Sequence, residues 1–455
     1  MLNLDAIFKG KKITQMGLGL LGRGIGDAAF LARHGADLLV TDMKTEEQLV
    51  DALQALKQYS NITFHLGGHK EEDFCDRDLI LKGAGVPLDS PYIATARKQK
   101  IPIDMSASLV ARISGIPTVG VTGTRGKSTV TYLLENMLRA DGRHVVLGGN
   151  VRGVSNLTLL ETIQEDSFGV FELDSWQCQG FGEEHTLRVE GILQGPISPQ
   201  VAVFTTFMPD HLNYYKNDLD AYLRDKVNIF LHQSPSDTLV VGTQALPALE
   251  KYKKSIKAHV IVADEKTVPT SWKLRLLGAH NRFNAGLAVA VARSLGIDDE
   301  VIKTVIENFA PIPGRLELVR AVHGIEIYND TNATTPEATI VALTALTAEV
   351  RKGGVILIAG GADKGLDSST LIPAIQKHTK KCVLLAGTGT DKLLVEEPSL
   401  GCEVVTSLEE AVHRAYQYAE EGDAIVLSPA FASFGMFTNE YDRGEQFIRL
   451  VAELT

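Results

Sequence analysis

The sequence predicts an α/β protein with three domains. Short apolar runs typical of buried strands alternate with helix-like stretches along all 455 residues. Glycine-rich turns follow several of these runs, as they do in doubly wound parallel sheets. Since a chain of this length exceeds one ordinary domain, we expect domains at residues 1–107, 108–311 and 312–455.

The first domain begins with a glycine-rich turn between a predicted strand, Lys12–Met16, and a predicted helix that ends near Gly35. The turn reads G-L-G-L-L-G over residues 17–22, and the next strand leads to Asp42, 20 residues beyond Gly22. This spacing is the dinucleotide-binding pattern of a Rossmann-like domain, in which an acid meets a ribose hydroxyl. Because many βα turns share the pattern, it indicates a phosphate-bearing ligand without identifying that ligand.

Residues 117–129 predict a phosphate-binding loop. An apolar run through Val121 leads into T-G-T-R-G-K-S-T, and a helix with an apolar stripe follows until Gly142. Backbone N–H groups and the helix dipole bind anions at such a turn, Lys127 can reach the outer phosphates, and Ser128 can hold Mg²⁺. Since Val121 occupies the first glycine of the strict G-x-x-x-x-G-K-[ST] pattern, the loop is a shortened form. We expect a central α/β domain of the P-loop ATPase type.

Polar residues follow two further predicted strands of this domain. Glu172 ends one of them, and Asp210 and His211 follow the other. If both strands are parallel neighbours of the loop strand, their carboxyl ends meet beside the phosphates, and a carboxylate with an imidazole there suits Mg²⁺ bound to nucleotide. Taken alone, His211 would be a hydrogen-bonded loop histidine. Lys226, on a later predicted helix, would by itself be a solvated lysine.

Two segments are expected to connect the domains. These are residues 107–116 and the proline-rich residues 310–317, where two prolines and a glycine exclude a helix or a central strand. Beyond the second segment, strands and helices alternate again and predict a C-terminal Rossmann-like α/β domain. Its strand ends carry Asp330, Lys364 and Ser433.

Composition narrows the class of protein. The net charge of -11 argues against a broad nucleic-acid surface, so phosphate ligands must be met by local cations and helix ends. The 4 cysteines are far apart in the sequence, which fits a reducing compartment rather than a disulfide framework. No apolar run approaches the roughly 18 residues that span a bilayer. We expect a cytoplasmic protein with no nucleic-acid or membrane partner.

Several motifs occur together in an order that resembles the ATP-dependent Mur ligases over almost the whole chain. The motifs are T-G-T-R-G-K-S-T, E-L-D-S-W-Q, D-H-L-N-Y-Y, A-H-N-R-F-N, G-R-L-E and N-D-T-N-A-T-T-P. The resemblance implies a monomeric enzyme of peptidoglycan precursor synthesis that uses ATP and two Mg²⁺ ions. It further implies addition of D-glutamate to UDP-N-acetylmuramoyl-L-alanine (UDP-MurNAc-L-Ala) through an acyl phosphate.

The resemblance also implies roles for individual residues. The catalytic residues would be Lys127, His211 and Lys226. ATP would be held by Gly123, Thr124, Arg125, Gly126, Lys127, Ser128, Thr129, Asn281, Asn284, Arg315 and Asp330. The metal ligands would be Ser128, Glu172, His211 and Lys226, the last as a carbamate, which turns a cation into an anionic oxygen ligand. The UDP substrate would contact Gly17, Leu18, Gly19, Leu20, Leu21, Gly22, Asp42, Asn150 and Gln177. The incoming amino acid would contact Thr334, Lys364 and Ser433.

Three alternatives stay open at this point. Asn332 and Glu440 stand where many members of the family carry lysine and phenylalanine, so the added amino acid could be L-glutamate or another one. The glycine turn with Asp42 would also suit an NAD-dependent oxidoreductase. A non-catalytic module that binds ATP without releasing phosphate is the third possibility.

Overall fold

The computed structural model describes residues 2–19, 22–349 and 353–455. The chain divides into two compact units, Met1–Thr270 with Phe283–Val305 and Ser271–Arg282 with Ile306–Thr455. The described residues form three sheets, one in each expected domain, and the first two sheets share the first unit. The domain boundaries at 107/108 and 311/312 stay predictions.

The first sheet consists of parallel strands with helices between them. In chain order its elements are α1 (Leu4–Phe8), β1 (Lys12–Met16), α2 (Arg23–Arg33), β2 (Asp37–Asp42), α3 (Val50–Leu56), β3 (Ile62–Leu66), β4 (Leu79–Lys82), α4 (Pro91–Lys98) and β5 (Ile103–Asp104). The strand order is β3-β2-β1-β4-β5. The chain therefore leaves β1 first toward one edge and later toward the other, and such a switch point is where doubly wound sheets bind ligands.

The second sheet is also fully parallel. In chain order the elements are α5 (Ser106–Ser114), β6 (Thr118–Thr122), α6 (Lys127–Ala140), β7 (His144–Gly149), β8 (Ser167–Glu172), α7 (Ser175–Phe181), β9 (Val201–Phe204), α8 (Leu219–Leu231), β10 (Thr238–Gly242), α9 (Leu246–Leu249), β11 (His259–Ala263), α10 (Ala279–Ser294) and α11 (Asp299–Asn308). The strand order is β11-β10-β9-β6-β8-β7. Because β6 lies between β8 and β9, the prediction that both strands neighbour the loop strand is confirmed.

The third sheet lies in the second unit and has one antiparallel edge. In chain order its elements are β12 (Glu317–Val322), β13 (Ile325–Asn329), α12 (Pro336–Glu349), β14 (Val355–Gly360), α13 (Leu371–His378), β15 (Lys381–Leu385), α14 (Thr388–Glu396), β16 (Glu403–Val405), α15 (Leu408–Tyr418), β17 (Ala424–Leu427) and α16 (Glu440–Glu453). The strand order is β12-β13-β17-β14-β15-β16, and β12 runs antiparallel to β13. The strand β12 was not predicted from the sequence, and it begins at the last residue of the proline-rich segment.

The segment 107–116, expected as a connection between domains, is mostly the buried helix α5. Leu109 and Val110 on this helix are fully buried in a core that continues from the first sheet into the second. On the same helix, Arg112 forms a fully buried ion pair with Asp104, at 3.1 Å between Nε and Oδ2. The first two sheets therefore share one hydrophobic core, which explains why they fall in one unit.

Candidate functional site

The loop between β6 and α6 has a backbone that strongly favours glycine at two positions. Gly123 has φ +137° and Gly126 has φ +85°, both in the left-handed region. A Cβ atom at Gly123 would lie 2.0 Å from Oγ1 of Thr205, and one at Gly126 would lie 2.2 Å from Oδ1 of Asn284. The glycines therefore let Thr205 and Asn284, from other segments of the same unit, come into contact with the loop.

Hydrogen bonds fix the loop to the segment that follows β9. The N–H of Thr124 donates to the carbonyl of Thr206 over 2.8 Å, and the N–H of Arg125 donates to Oγ1 of Thr206 over 2.9 Å. Oγ1 of Thr205 in turn donates to the carbonyl of Arg125 over 2.6 Å. Residues 125–128 are only half-buried, so this rigid turn stays within reach of a ligand. A preorganised turn at a helix N-terminus is suited to binding phosphate.

Two lysines converge on this loop. Nζ of Lys127 donates to the carbonyls of Gly123 and Thr124, over 3.1 and 3.2 Å. Nζ of Lys226, on α8, donates to the carbonyl of Gly123 over 2.9 Å. Lys226 is 1% exposed, so the interpretation as a solvated helix lysine was wrong. Burial lowers the pKa of both lysines, and their mutual repulsion lowers the pKa of Lys127 further.

The residues at the neighbouring strand ends lie on either side of the loop strand. Glu172 ends β8 and is 5% exposed. Asp210 follows β9, and its Oδ2 accepts a hydrogen bond from Nη1 of Arg125 over 2.9 Å. His211 has φ +52°, its ring lies 4.6 Å from that of Trp176, and burial lowers its pKa.

The donor set fits Mg²⁺ that arrives with a nucleotide. Within residues 2–19, 22–349 and 353–455, no three of His, Cys, Asp or Glu cluster as a metal cage. Mg²⁺ keeps several waters and commonly takes one or two protein oxygens together with substrate phosphates. Ser128 at the start of α6 and Glu172 at the end of β8 offer such oxygens on neighbouring elements. The site therefore fits a nucleotide-bound ion better than a cage made only of protein ligands.

A cavity of about 340 Å³ opens at the glycine turn of the first sheet and extends to the second. Its wall includes five residues predicted for the UDP substrate, Gly17, Leu18, Gly19, Asp42 and Gln177. Leu20 and Leu21 lie outside the described residues. Gly22 caps α2 in the left-handed conformation. The structure thus brings most of the predicted substrate set to one cavity.

The predicted acid Asp42 braces the turn itself. Its Oδ2 accepts the N–H of Leu18 over 2.8 Å, and its Oδ1 accepts the N–H of Lys44 over 3.0 Å. Asn150 follows β7, where its N–H donates to the carbonyl of Glu172 over 2.6 Å. Its Oδ1 accepts from Nη1 of Arg23 over 2.6 Å. Asn150 therefore connects a cavity residue with the strand end that carries Glu172.

The second unit holds the residues predicted for the amino acid. Nζ of Lys364 donates to Oγ1 of Thr334 over 2.9 Å. Ser433 is 4% exposed, and the residue before it, Ala432, exchanges two backbone hydrogen bonds of 3.0 Å with Ala362. The loops after β14 and β17 therefore run side by side within this unit.

Three residues predicted for ATP also belong to the second unit. Asp330 is 8% exposed, its Oδ2 accepts from Oγ of Ser428 over 2.8 Å, and its Oδ1 accepts the N–H of Leu316 over 3.0 Å. Burial raises the pKa of Asp330 to about 7. Arg315 lies near enough to Asp330 to oppose that rise, and Nδ2 of Asn281 donates to the carbonyl of Leu277 over 2.9 Å.

The cavity is also lined by several polar residues that the sequence did not predict, among them Arg23, Lys82 and Asn156. Arg23 had a usable signal, since a cation directly follows the glycine turn. Lys82 had a weaker one, a lysine at the end of the apolar run L-I-L-K, and its burial lowers its pKa to about 8. Asn156 had none, because its position depends on how the second sheet packs against α2.

The loop and the cavity each lie at the carboxyl edge of a parallel sheet, where α/β proteins of the nucleotide-binding class commonly hold phosphate-bearing ligands. No helix in the described part of the chain is long and apolar enough to cross a bilayer. Residues 11–104 match the Mur ligase MurD-like N-terminal domain, residues 121–292 the Mur ligase middle domain, and residues 314–431 the Mur ligase glutamate ligase domain. The chain belongs to the Mur ligase family.

Similarity to individual relatives runs over nearly the whole chain. The UDP-N-acetylmuramoylalanine–D-glutamate ligase of Roseiflexus sp. (strain RS-1) is 36% identical over 481 aligned residues, covering 98% of this chain and 99% of that protein. Proteins of the same name from Borreliella burgdorferi (strain ZS7) and Streptococcus sanguinis (strain SK36) are 32% and 31% identical, with 99% of each chain covered.

Solved structures share the three-domain fold at low sequence identity. The UDP-N-acetylmuramate-alanine ligase MurC of Thermotoga maritima superposes with a TM-score of 0.60 at 18% identity, over 97% of this chain and 99% of that one. MurF of Acinetobacter baumannii gives a TM-score of 0.57 at 16% identity, over 97% and 93%. At these identities the likeness establishes the fold alone.

Proposed function

We propose that this chain is an ATP-dependent amide-bond ligase that joins D-glutamate to UDP-MurNAc-L-Ala through an acyl phosphate, making a peptidoglycan precursor. The observation that carries the proposal is the similarity, over 98% of the chain, to a ligase of that name at 36% identity. Membership of the Mur ligase family argues against the NAD-dependent oxidoreductase. The glycine turn that suggested NAD does not require it, because such turns bind other phosphate-bearing ligands equally well.

The chemistry follows from the weakness of a carboxylate as an electrophile. Its negative charge repels an amine, and oxide is not a leaving group. In the first step a carboxylate oxygen of the terminal alanine takes the γ-phosphoryl group of ATP, and ADP leaves. In the second, the amino nitrogen of D-glutamate attacks the acyl carbon and loses a proton, and inorganic phosphate leaves as the amide forms.

Phosphoryl transfer depends mainly on positioning and on offsetting charge. Lys127 is suited to this role because its ammonium group already lies on the carbonyls of Gly123 and Thr124, at the N-terminus of α6. Bound Mg²⁺ would neutralise charge on the phosphates, and Ser128 and Glu172 would hold it, with a second ion at His211. Arg125, paired with Asp210, would keep a further cation beside the loop.

Lys226 is proposed to act as a carbamate. Only an uncharged amine reacts with CO₂, and burial lowers the pKa of Lys226, which raises the uncharged fraction at a given pH. The resulting carbamate would replace a buried cation near Lys127 with an anionic oxygen ligand for Mg²⁺. The assignment is supported by the two lysine ammonium groups that share the carbonyl oxygen of Gly123, because a carbamate on Lys226 would remove one of these two positive charges.

The other two substrates are assigned to the remaining polar clusters. The UDP part of the muramoyl substrate would occupy the cavity of about 340 Å³ at the glycine turn, with Asp42 holding the turn in shape. The amino acid would meet Thr334, Lys364 and Ser433 in the second unit, where Lys364 supplies a cation for a carboxylate. Asn281, Asn284, Arg315 and Asp330 are proposed to contact ATP.

Phosphate release from ATP tests the proposal when the full chain is given UDP-MurNAc-L-Ala and a panel of D- and L-amino acids. We expect release that depends on both substrates and is fastest with D-glutamate. Fastest release with L-glutamate or another amino acid would favour the alternative raised by Asn332 and Glu440. ATP binding without release under any condition would favour the non-catalytic module.

A further inference from the structure

Arg23 occupies an unusual place for a cation. It is the first residue of α2, directly after the left-handed Gly22, and it lines the cavity at the glycine turn. The N-terminus of a helix carries partial positive charge, so an arginine there is disfavoured unless an anion offsets it. Asp27, one turn along α2, attracts Arg23 electrostatically, but its Oδ1 accepts from Oγ of Ser155 over 2.6 Å and from the N–H of Leu157 over 3.1 Å rather than from the guanidinium group.

The guanidinium group of Arg23 reaches from the first sheet to the second. Its Nη1 donates to Oδ1 of Asn150 over 2.6 Å. The N–H of Asn150 donates to the carbonyl of Glu172, also over 2.6 Å. One residue of the cavity wall is therefore two hydrogen bonds away from the strand end that carries the candidate magnesium ligand.

A separate observation indicates that the cavity wall is built for a polar ligand. Gln15 lines the cavity and is 2% exposed. Its Nε2 donates to the carbonyl of Gly24 over 2.7 Å, whereas its buried Oε1 has no hydrogen-bond partner among the residues that the structure describes. A buried acceptor of this kind costs free energy unless a ligand or water supplies a donor. Lys82, 3% exposed, and Lys44 add further cations to the same wall.

We propose that Arg23 contacts the diphosphate of the nucleotide substrate and, through Asn150, positions the strand end that carries Glu172. The proposal rests on the proposed function, since it takes the cavity ligand to be a nucleoside diphosphate. Arginine suits both tasks because its planar group has five N–H donors and can serve Asn150 and a phosphate oxygen together. A lysine offers one compact ammonium group that cannot span both partners equally well.

Loss of Arg23 should not separate the two sheets, because α2 makes other polar contacts with residues 155–161, which follow Asn150 in the chain. Asp27 holds Ser155 and Leu157, and Arg33 forms an ion pair with Glu161 at 2.8 Å. Arg33 therefore offers a matched control on the same helix. The Arg33→Gln change removes a tie between the sheets without touching a residue that lines the cavity.

Calorimetric titration of the full chain with UDP and with uridine tests the contact directly. We expect Arg23→Leu to weaken UDP binding by about tenfold or more, as loss of a charge-assisted hydrogen bond does, and to leave uridine binding unchanged. Arg23→Lys should recover part of the UDP affinity, and Arg33→Gln should match the wild type. Equal UDP affinity in Arg23→Leu and the wild type, or an equal loss for uridine, would overturn the contact.

Turnover tests the positioning role separately. At saturating substrates Arg23→Leu should lower kcat several-fold as well as raise KM for the UDP substrate, whereas Arg33→Gln should change neither. A raised KM with unchanged kcat would overturn the link through Asn150. If the wild type binds UDP but ligates no amino acid, the proposed function fails while the UDP comparison still decides the contact.

Discussion

Nζ of Lys226 lies 2.9 Å from the carbonyl oxygen of Gly123 and donates a hydrogen bond to it. The same oxygen accepts from Nζ of Lys127 over 3.1 Å, so two lysines on different helices converge on one atom of the loop between β6 and α6. Repulsion between them is relieved when phosphates bind or when one lysine loses its charge. Two cationic groups therefore lie on one carbonyl oxygen in a chain with a net charge of -11.

Removal of either Lys127 or His211 should abolish most turnover. We expect Lys127→Ala and His211→Ala each to lower kcat by about a hundredfold or more, the scale of losing one group that stabilises transition-state charge. Initial rates of phosphate release measure the effect. UDP binding in the cavity should stay as in the wild type, and retained turnover in either variant would count against the assigned roles.

Substitution of Gly123 by alanine should impair ATP binding, whereas the same substitution at Gly142, which also has a positive φ, should not. Gly123→Ala should remove measurable ATP binding, because its Cβ would meet Oγ1 of Thr205 at 2.0 Å. Gly142 has a positive φ of +82° but nothing within 4 Å of its Cβ position, so Gly142→Ala should cost only about 1 kcal/mol of stability. Equal ATP affinity in both variants, measured by titration, would contradict the proposed loop function.

Carbamylation of Lys226 should be visible by ¹³C NMR. Wild-type protein given ¹³C-bicarbonate and Mg²⁺ should show a carbamate carbon signal. Lys226→Met should show no such signal, and its turnover should fall to about 1% of the wild-type value or less. Lys216→Met is a control because that side chain is 79% exposed. A wild-type spectrum with no such signal, or an active Lys226→Met enzyme, would remove Lys226 from the metal site.

The second unit should become less stable as the pH rises toward neutrality. The pKa of Asp330 is raised from 3.8 to about 7, so the folded unit holds a proton that the unfolded chain has released. The stabilisation is fully present below about 3.8 and is lost as the pH rises through about 7. Hydrogen exchange of β13, corrected for intrinsic rates, should therefore accelerate by about tenfold or more from pH 5 to 8 in the wild type. In Asp330→Asn the corrected rate should stay flat, and an equal acceleration there would assign the effect to another group.

Local patterns in the sequence predicted the elements and the loop well. The run from Val119 through Gly126 carries local signals for a strand, a turn and a helix, and the strand β6, the turn and the helix α6 follow in that order. The placement of Glu172 and Asp210 on either side of β6 followed from the general rule for parallel strands, which the strand order confirms.

The features that local sequence patterns did not predict depend on packing between segments far apart in the chain. Lys226 is polar on a helix and so predicts exposure, yet α8 packs against β6 and β9 and buries it. The segment 107–116 resembles a connection, but its apolar residues complete a core shared by two sheets. The bond between Arg23 and Asn150 joins residues 127 positions apart, and no local pattern in this chain pairs them.

The most direct test of the account follows oxygen from the substrate carboxylate. UDP-MurNAc-L-Ala labelled with ¹⁸O in its carboxylate is incubated with ATP, Mg²⁺, D-glutamate and the wild-type protein, and the released phosphate is analysed by mass spectrometry. An acyl phosphate requires one ¹⁸O atom to appear in the phosphate for each amide formed. Unlabelled phosphate alongside the amide would contradict activation of the carboxylate by phosphorylation.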